Sequence, residues 1–141
     1  MLKNVNPLLT GTLLRLMDEM GHGDILGLVD RNFPAYRYRV PVIGLRGVDT
    51  GAASAALLSV FPVDSFVEDS IRRMQIDEKP DEITSATTAL GAAARTAEGR
   101  DIEIIGVERF DFYEQAEQAM VIIQTGETIP YSCYLIKKGV V

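Results

Sequence analysis

A chain of 141 residues with one cysteine and one histidine is poor in the ligands that transition metals favour. Zinc sites draw several Cys, His or carboxylate ligands into one constellation, and His22 has no second histidine to join it. No Asp/Glu loop has the spacing of a Mg or Ca site either. Cys133 stands alone, so no internal disulfide forms and the fold needs no oxidising compartment. Basic runs are missing: Lys137 and Lys138 form only a pair, and the formal net charge is −6. That excludes the basic patch with which proteins displace counterions from nucleic acid. No apolar stretch approaches the ~20 residues that span a bilayer, so no membrane partner is expected. Met1 to Asn6 lack the basic-then-apolar profile of a signal peptide, and the cytoplasm is the expected address. The phosphate-loop, G-x-G-x-x-G and G-x-S-x-G signatures are absent, so a nucleotide cofactor or a serine nucleophile has no support.

What is present is an ordinary globular balance, with 47% apolar and 24% charged residues. The length fits a single domain over residues 1–141. A helix is expected from about Gly11 to Met20. Thr10 is its cap, and Leu9, Leu13, Leu16, Met17 and Met20 share one face. Gly21 supplies a residue that tolerates a left-handed turn at the helix end. Ile25 to Val29 is a continuous apolar run, the mark of a strand buried on both faces of a parallel sheet. A second strand over Tyr38 to Leu45 contains Pro41, which points to a sheet edge or a bulge. Further helices are expected over Thr50 to Phe61, Asp81 to Gly99 and Phe110 to Gln118. Further strands are expected over Ile102 to Val107, Met120 to Gln124 and Tyr131 to Ile136. Ser65 to Ile76 fits either type. Alternating helices and strands imply an α/β fold, a three-layer domain with a largely parallel sheet, which binds ligands beyond the carboxyl ends of its strands.

Few residues stand out chemically. His22, between Gly21 and Gly23, carries an imidazole, a side chain that can both give and take a proton. From composition alone it fits a solvated loop histidine, or a cap on the preceding helix, better than a catalytic group. Asp30 closes the apolar strand and suits a helix cap or turn, the acceptance of hydroxyl hydrogen bonds, or the orientation of His22. Arg109 offers rigid donors for hydroxyls or anions, or pairs with Asp111 or Glu114. Phe110, Phe112 and Tyr113 suit packing. Tyr131 can donate and accept through its hydroxyl. Cys133 suits a small buried hydrophobe better than a nucleophile.

The ordered set Met20-Gly21-His22-Gly23-Asp24, Asp30, Phe33-Pro34-Ala35, Arg109-Phe110 with Phe112-Tyr113-Glu114, Thr125-Gly126-Glu127 and Leu135-Ile136-Lys137-Lys138-Gly139-Val140 resembles the fucose mutarotase and ribose pyranase (RbsD/FucU) family. The likeness runs the length of the chain and is weakest from about Gly47 to Gly99. It implies a cofactor-free, RbsD-like enzyme acting on free monosaccharides, built as a homodecamer with pockets between subunits. Carried over by position, the catalytic histidine falls on His22 and the sugar-binding carboxylate on Asp30. Arg109 matches the fucose branch, where the ribose branch has a histidine. Tyr131, Ser132 and Cys133 occupy the Tyr-x-Asn segment that helps to hold the sugar. Cys133 replaces the asparagine, and a thiol offers far weaker hydrogen bonds than an amide, so recognition of one hydroxyl should be retuned. A sugar-binding protein without catalysis, and a structural or regulatory ring, are the alternatives.

Overall fold

The computed structural model describes residues 1–141 and is organised by one six-stranded sheet. The elements in chain order are α1 (Gly11–Glu19), β1 (Ile25–Val29), β2 (Val42–Leu45), α2 (Thr50–Leu58), β3 (Ile71–Met74), α3 (Ser85–Glu98), β4 (Ile104–Val107), α4 (Arg109–Gln115), β5 (Ala119–Thr125) and β6 (Tyr134–Lys137). The strand order is β2-β5-β1-β6-β3-β4. β6 alone runs against the others, paired antiparallel with β1 on one side and β3 on the other. The expected largely parallel α/β sheet is what forms.

Each helix begins where a short side chain satisfies its free N–H groups. Thr10 caps α1, Asp49 caps α2, Thr84 caps α3 and Glu108 caps α4. α1, α2 and α3 cover one face of the sheet. Leu13, Met17, Leu57 and Leu90 interlock there with Leu26, Leu28, Val121 and Ile123. α4 and the segment around Phe33 cover the other face, over Ile25, Val29, Ile122 and Leu135. β1 therefore presents alternate residues to two apolar layers, and all five of its residues are buried. That explains its unbroken apolar sequence.

Several boundaries differ from expectation. β2 starts only at Val42, because Ala35–Arg37 forms one turn of 3₁₀ helix and Pro41 can offer the ladder only its carbonyl, to the Ile122 N–H. β2 lies at the sheet edge. α3 starts at Ser85 rather than Asp81, where the Thr84 hydroxyl takes the Thr87 N–H. Within Ser65 to Ile76 only Ile71–Met74 is strand. β6 starts at Tyr134, three residues later than expected, since Tyr131 holds a left-handed backbone (φ 62°) that leaves the extended path. Met20 leaves α1 in an extended conformation, and Gly23, not Gly21, takes the positive φ of 84°. No helix is long and apolar enough to cross a membrane.

Candidate active site

The strand direction of the sheet sorts the candidate residues into two groups. His22 precedes β1 and so lies at the amino edge of the parallel strands. Asp30 follows β1 at the carboxyl edge. At a rise of about 3.3 Å per residue, the strand and its flanks put roughly 20 Å between them. One sugar cannot touch both residues of the same chain.

At the amino edge, the His22 Nε2–H donates to Asp64 Oδ1 over 3.1 Å. The Asp64 side chain is almost wholly buried, at 4% exposure, while the imidazole is 46% exposed. Burial works to raise the Asp64 pKa. The Phe66 N–H and the His22 ring outweigh it, and the carboxyl sits below its ordinary range. An ionised carboxylate only accepts, so Nε2 carries the hydrogen and Nδ1 keeps the basic lone pair. The expectation that Asp30 orients the imidazole is thus corrected: within the chain that partner is Asp64. Asp64 was not singled out from sequence. Its one local signal is an Asx turn, in which Oδ1 also accepts the Phe66 N–H. The Phe66 ring meets the imidazole edge-on at 5.4 Å.

The closing Lys137-Lys138-Gly139 segment builds this edge. Lys138 Nζ donates to the Met17 carbonyl in the last turn of α1, and the Lys138 backbone pairs with Gly23 and Asp24 just before β1. A cation there also complements the helix dipole. Gly139 lies so close to Val63 that a Cβ would sit 2.7 Å from its carbonyl oxygen. That approach lets the segment carrying Asp64 dock beside His22. An apolar groove of about 790 Å³, lined in part by Met20, His22, Phe61 and Val140, opens here.

At the carboxyl edge, a cleft of about 380 Å³ brings together Asp30, Asp77, Arg109, Tyr113, Tyr131 and Cys133. Asp30 Oδ1 accepts the Asn32 and Phe33 N–H groups, and Oδ2 accepts the Cys133 thiol at 3.5 Å. Burial, followed by the Asp30 charge, pushes the Cys133 pKa well above its ordinary value. This holds it as a neutral donor, not a nucleophile. Arg109 donates through Nε to both Asp77 oxygens, not to Asp111 or Glu114. Its terminal nitrogens stay available, with the guanidinium 4.4 Å from the centre of the Phe110 ring. Phe110 is exposed rather than packed, whereas Phe112 is fully buried. Ser132 lies beneath the cleft, buried and with its hydroxyl unpartnered. The Cys133 carbonyl is taken by the Met74 N–H.

Thr125-Gly126-Glu127 holds the loop that presents Tyr131. The Glu127 carboxylate accepts the Thr50, Thr128 and Ile129 N–H groups. Burial opposes its ionisation, but these N–H groups win and lower its pKa. A Cβ on Gly126 would lie 2.1 Å from the Arg46 carbonyl oxygen, so only glycine fits.

Comparison with known proteins follows the same lines. Residues 3–141 match the profile of the RbsD / FucU transport protein family. The L-fucose mutarotase of Histophilus somni (strain 2336) is 33% identical over 140 residues, covering 99% of this chain and 97% of that one. The crystal structure of fucose mutarotase with L-fucose from Streptococcus pneumoniae superposes with a TM-score of 0.90 at 33% identity, over 99% of both chains. That of protein Atu2016, a "putative sugar binding protein", superposes with a TM-score of 0.94 at 38% identity, over 100% of this chain and 97% of that one.

Proposed function

This chain belongs to the RbsD / FucU family, and on that premise we propose that it is a sugar mutarotase, with L-fucose or a closely related monosaccharide as substrate. The observation that carries the reading is the His22–Asp64 pair, a half-exposed imidazole whose basic nitrogen is set by a buried, ionised carboxylate. Mutarotation needs a proton taken from the anomeric hydroxyl and one given to the ring oxygen as the bond from C1 to that oxygen breaks. Reclosure on the other face of the aldehyde reverses both transfers. Protons balance, and neither group transfer nor redox change occurs, so the reading calls for no cofactor. His22 Nδ1 exchanges the proton, and a positioned acid–base group accelerates such a step by about 10²–10⁴-fold. Asp30, Arg109 and Tyr131 hold the sugar hydroxyls, with Cys133 fixing Asp30 and Ser132 supporting the turn beneath.

The two edges complete one site only between copies, the amino edge of one subunit against the carboxyl edge of the next. Such a head-to-tail contact closes into a ring when its rotation permits, and the family resemblance implies ten members. Phe66 and Val140 at one edge and Tyr36 and Phe110 at the other are exposed apolar groups, which supports contact there. A cytoplasmic address belongs to the same reading, supported by the lone free cysteine.

The test is anomeric saturation transfer by NMR with L-fucose, D-ribose and D-galactose. Wild-type protein should speed exchange, and His22→Ala should lose the acceleration while keeping its oligomer mass. Asp30→Asn should also be silent. Co-assembled in equal amounts, the two silent variants should regain about a quarter of the activity, from random mixing across a head-to-tail contact. A mixture that stays silent overturns the composite site. Sugar binding without exchange in the wild type overturns the enzyme in favour of a binding protein.

A further inference from the structure

The charge of this chain is unevenly spread. Of its 14 cationic side chains, nine are tied to other side chains or to carbonyls, as Arg72 and Lys137 are to Asp69 and Arg109 is to Asp77. Those without a side-chain hydrogen bond or ion pair are Lys3, Arg31, Arg37, Arg39 and Arg46. Three of these five, Arg31, Arg37 and Arg39, lie between the end of β1 and the start of β2, and Arg46 directly follows β2. Arg37 and Arg39 go further, for they line a cleft of about 860 Å³ with Tyr38, Arg109 and Tyr113. Arg109 and Tyr113 are also walls of the smaller cleft that holds Asp30 and Tyr131. The two clefts thus share one boundary.

The arginine wall is built rather than loose. Tyr38 stacks on Phe33 at 5.6 Å with the rings nearly parallel, and its hydroxyl donates to the Tyr113 carbonyl. That fixes the backbone from which Arg37 and Arg39 project. Glu114 and Glu117 line the same cleft but form no ion pair with either arginine. An anion is therefore accepted only against the arginine side. In a chain of net charge −6, a local cluster of uncommitted guanidinium groups focuses the field on this one mouth, and the planar forks suit carboxylate and phosphate oxygens.

We propose that Arg37 and Arg39 form a subsite for an anionic substituent, carboxylate or phosphate, carried by the sugar at the end away from its anomeric carbon. The substrate range of this chain then extends beyond L-fucose to acidic monosaccharides of the same size. The inference rests on the mutarotase reading and extends it.

The experiment compares D-galactose, D-galacturonate and D-galactose 6-phosphate by anomeric saturation transfer. Equilibrium binding of the same three sugars is measured alongside, on the wild type and on Arg37→Gln/Arg39→Gln. The expected result is at least tenfold faster exchange with one of the acidic sugars than with D-galactose. That ratio should drop about tenfold in the double variant and shrink as salt rises. The galacturonate and 6-phosphate arms tell carboxylate from phosphate. Exchange with D-galactose but no arginine-dependent preference for either acid overturns the subsite and leaves the mutarotase intact. Arginine-dependent binding of an acid without any exchange upholds the subsite and overturns the mutarotase.

Discussion

In the proposed mutarotase, the two edges of the sheet divide the labour between proton transfer and recognition. The amino edge holds one reactive pair, His22 and Asp64, in mostly apolar surroundings. The carboxyl edge holds several donors and acceptors but no histidine. Proton transfer needs a single nitrogen with a defined tautomer. Discrimination among sugars needs many weak contacts whose number can change. Keeping them apart lets recognition vary, as at Cys133, without disturbing the base.

That division is sharpened most by Asp64→Asn. The amide still accepts the Nε2–H but brings no charge to stabilise the imidazolium. Exchange should slow at least tenfold in kcat with little change in KM. Saturation transfer over a series of sugar concentrations separates the two. A rise in KM with kcat intact would erase the distinction between the edges.

Glu127→Ala is next. It strands three N–H groups, one of them on the buried residue Thr50, and should cost about 2 kcal/mol of stability. Chemical denaturation reads the cost, and KM should rise as the Tyr131 turn loosens. The same carboxyl, together with Asp64, sets the acid limit. Both have folded pKa values below their ordinary 4.5 and 3.8, so the unfolded chain binds more protons between the folded and ordinary values. Their stabilisation is full above the ordinary values and is lost as pH falls through the folded ones. Denaturation midpoints measured from pH 6 to pH 3 should therefore decline, and less steeply in Glu127→Ala.

The smallest effect is expected of Cys133. Cys133→Ala frees Asp30 Oδ2 and leaves a minor void, so sugar affinity should fall only a few-fold while the exchange rate at saturation holds. Cys133→Asn, titrated with L-fucose, tests whether an amide grips Asp30 more firmly.

Much of this was legible along the chain. The apolar run of β1, the cap of α1 and the exposed loop of His22 follow from local rules, since each depends on neighbours a few residues away. Asp64 was hidden because its partner His22 is 42 residues distant and its own segment has no period. Asp77 was hidden likewise, 32 residues from Arg109. The placing of Tyr131 and Cys133 at the carboxyl edge beside Asp30 depends on β6 running backwards, and no local pattern encodes the direction in which a strand enters a sheet. The 3₁₀ turn at Ala35–Arg37 was missed because Tyr38 is held by contacts with α4, not by its own propensity.

Although β6 follows every other strand in sequence, it lies inside the sheet, between β1 and β3. As the chain is synthesised from its amino end, β2-β5-β1 and β3-β4 can emerge only as separate ribbons, each with a bare inner edge until β6 arrives. That same arrival seats Lys138 under the His22 loop and Cys133 against Asp30. A nascent chain cut short before Tyr134 therefore displays unpaired sheet edges and lacks Lys138, so a proofreading protease has an unfinished molecule to recognise and degrade.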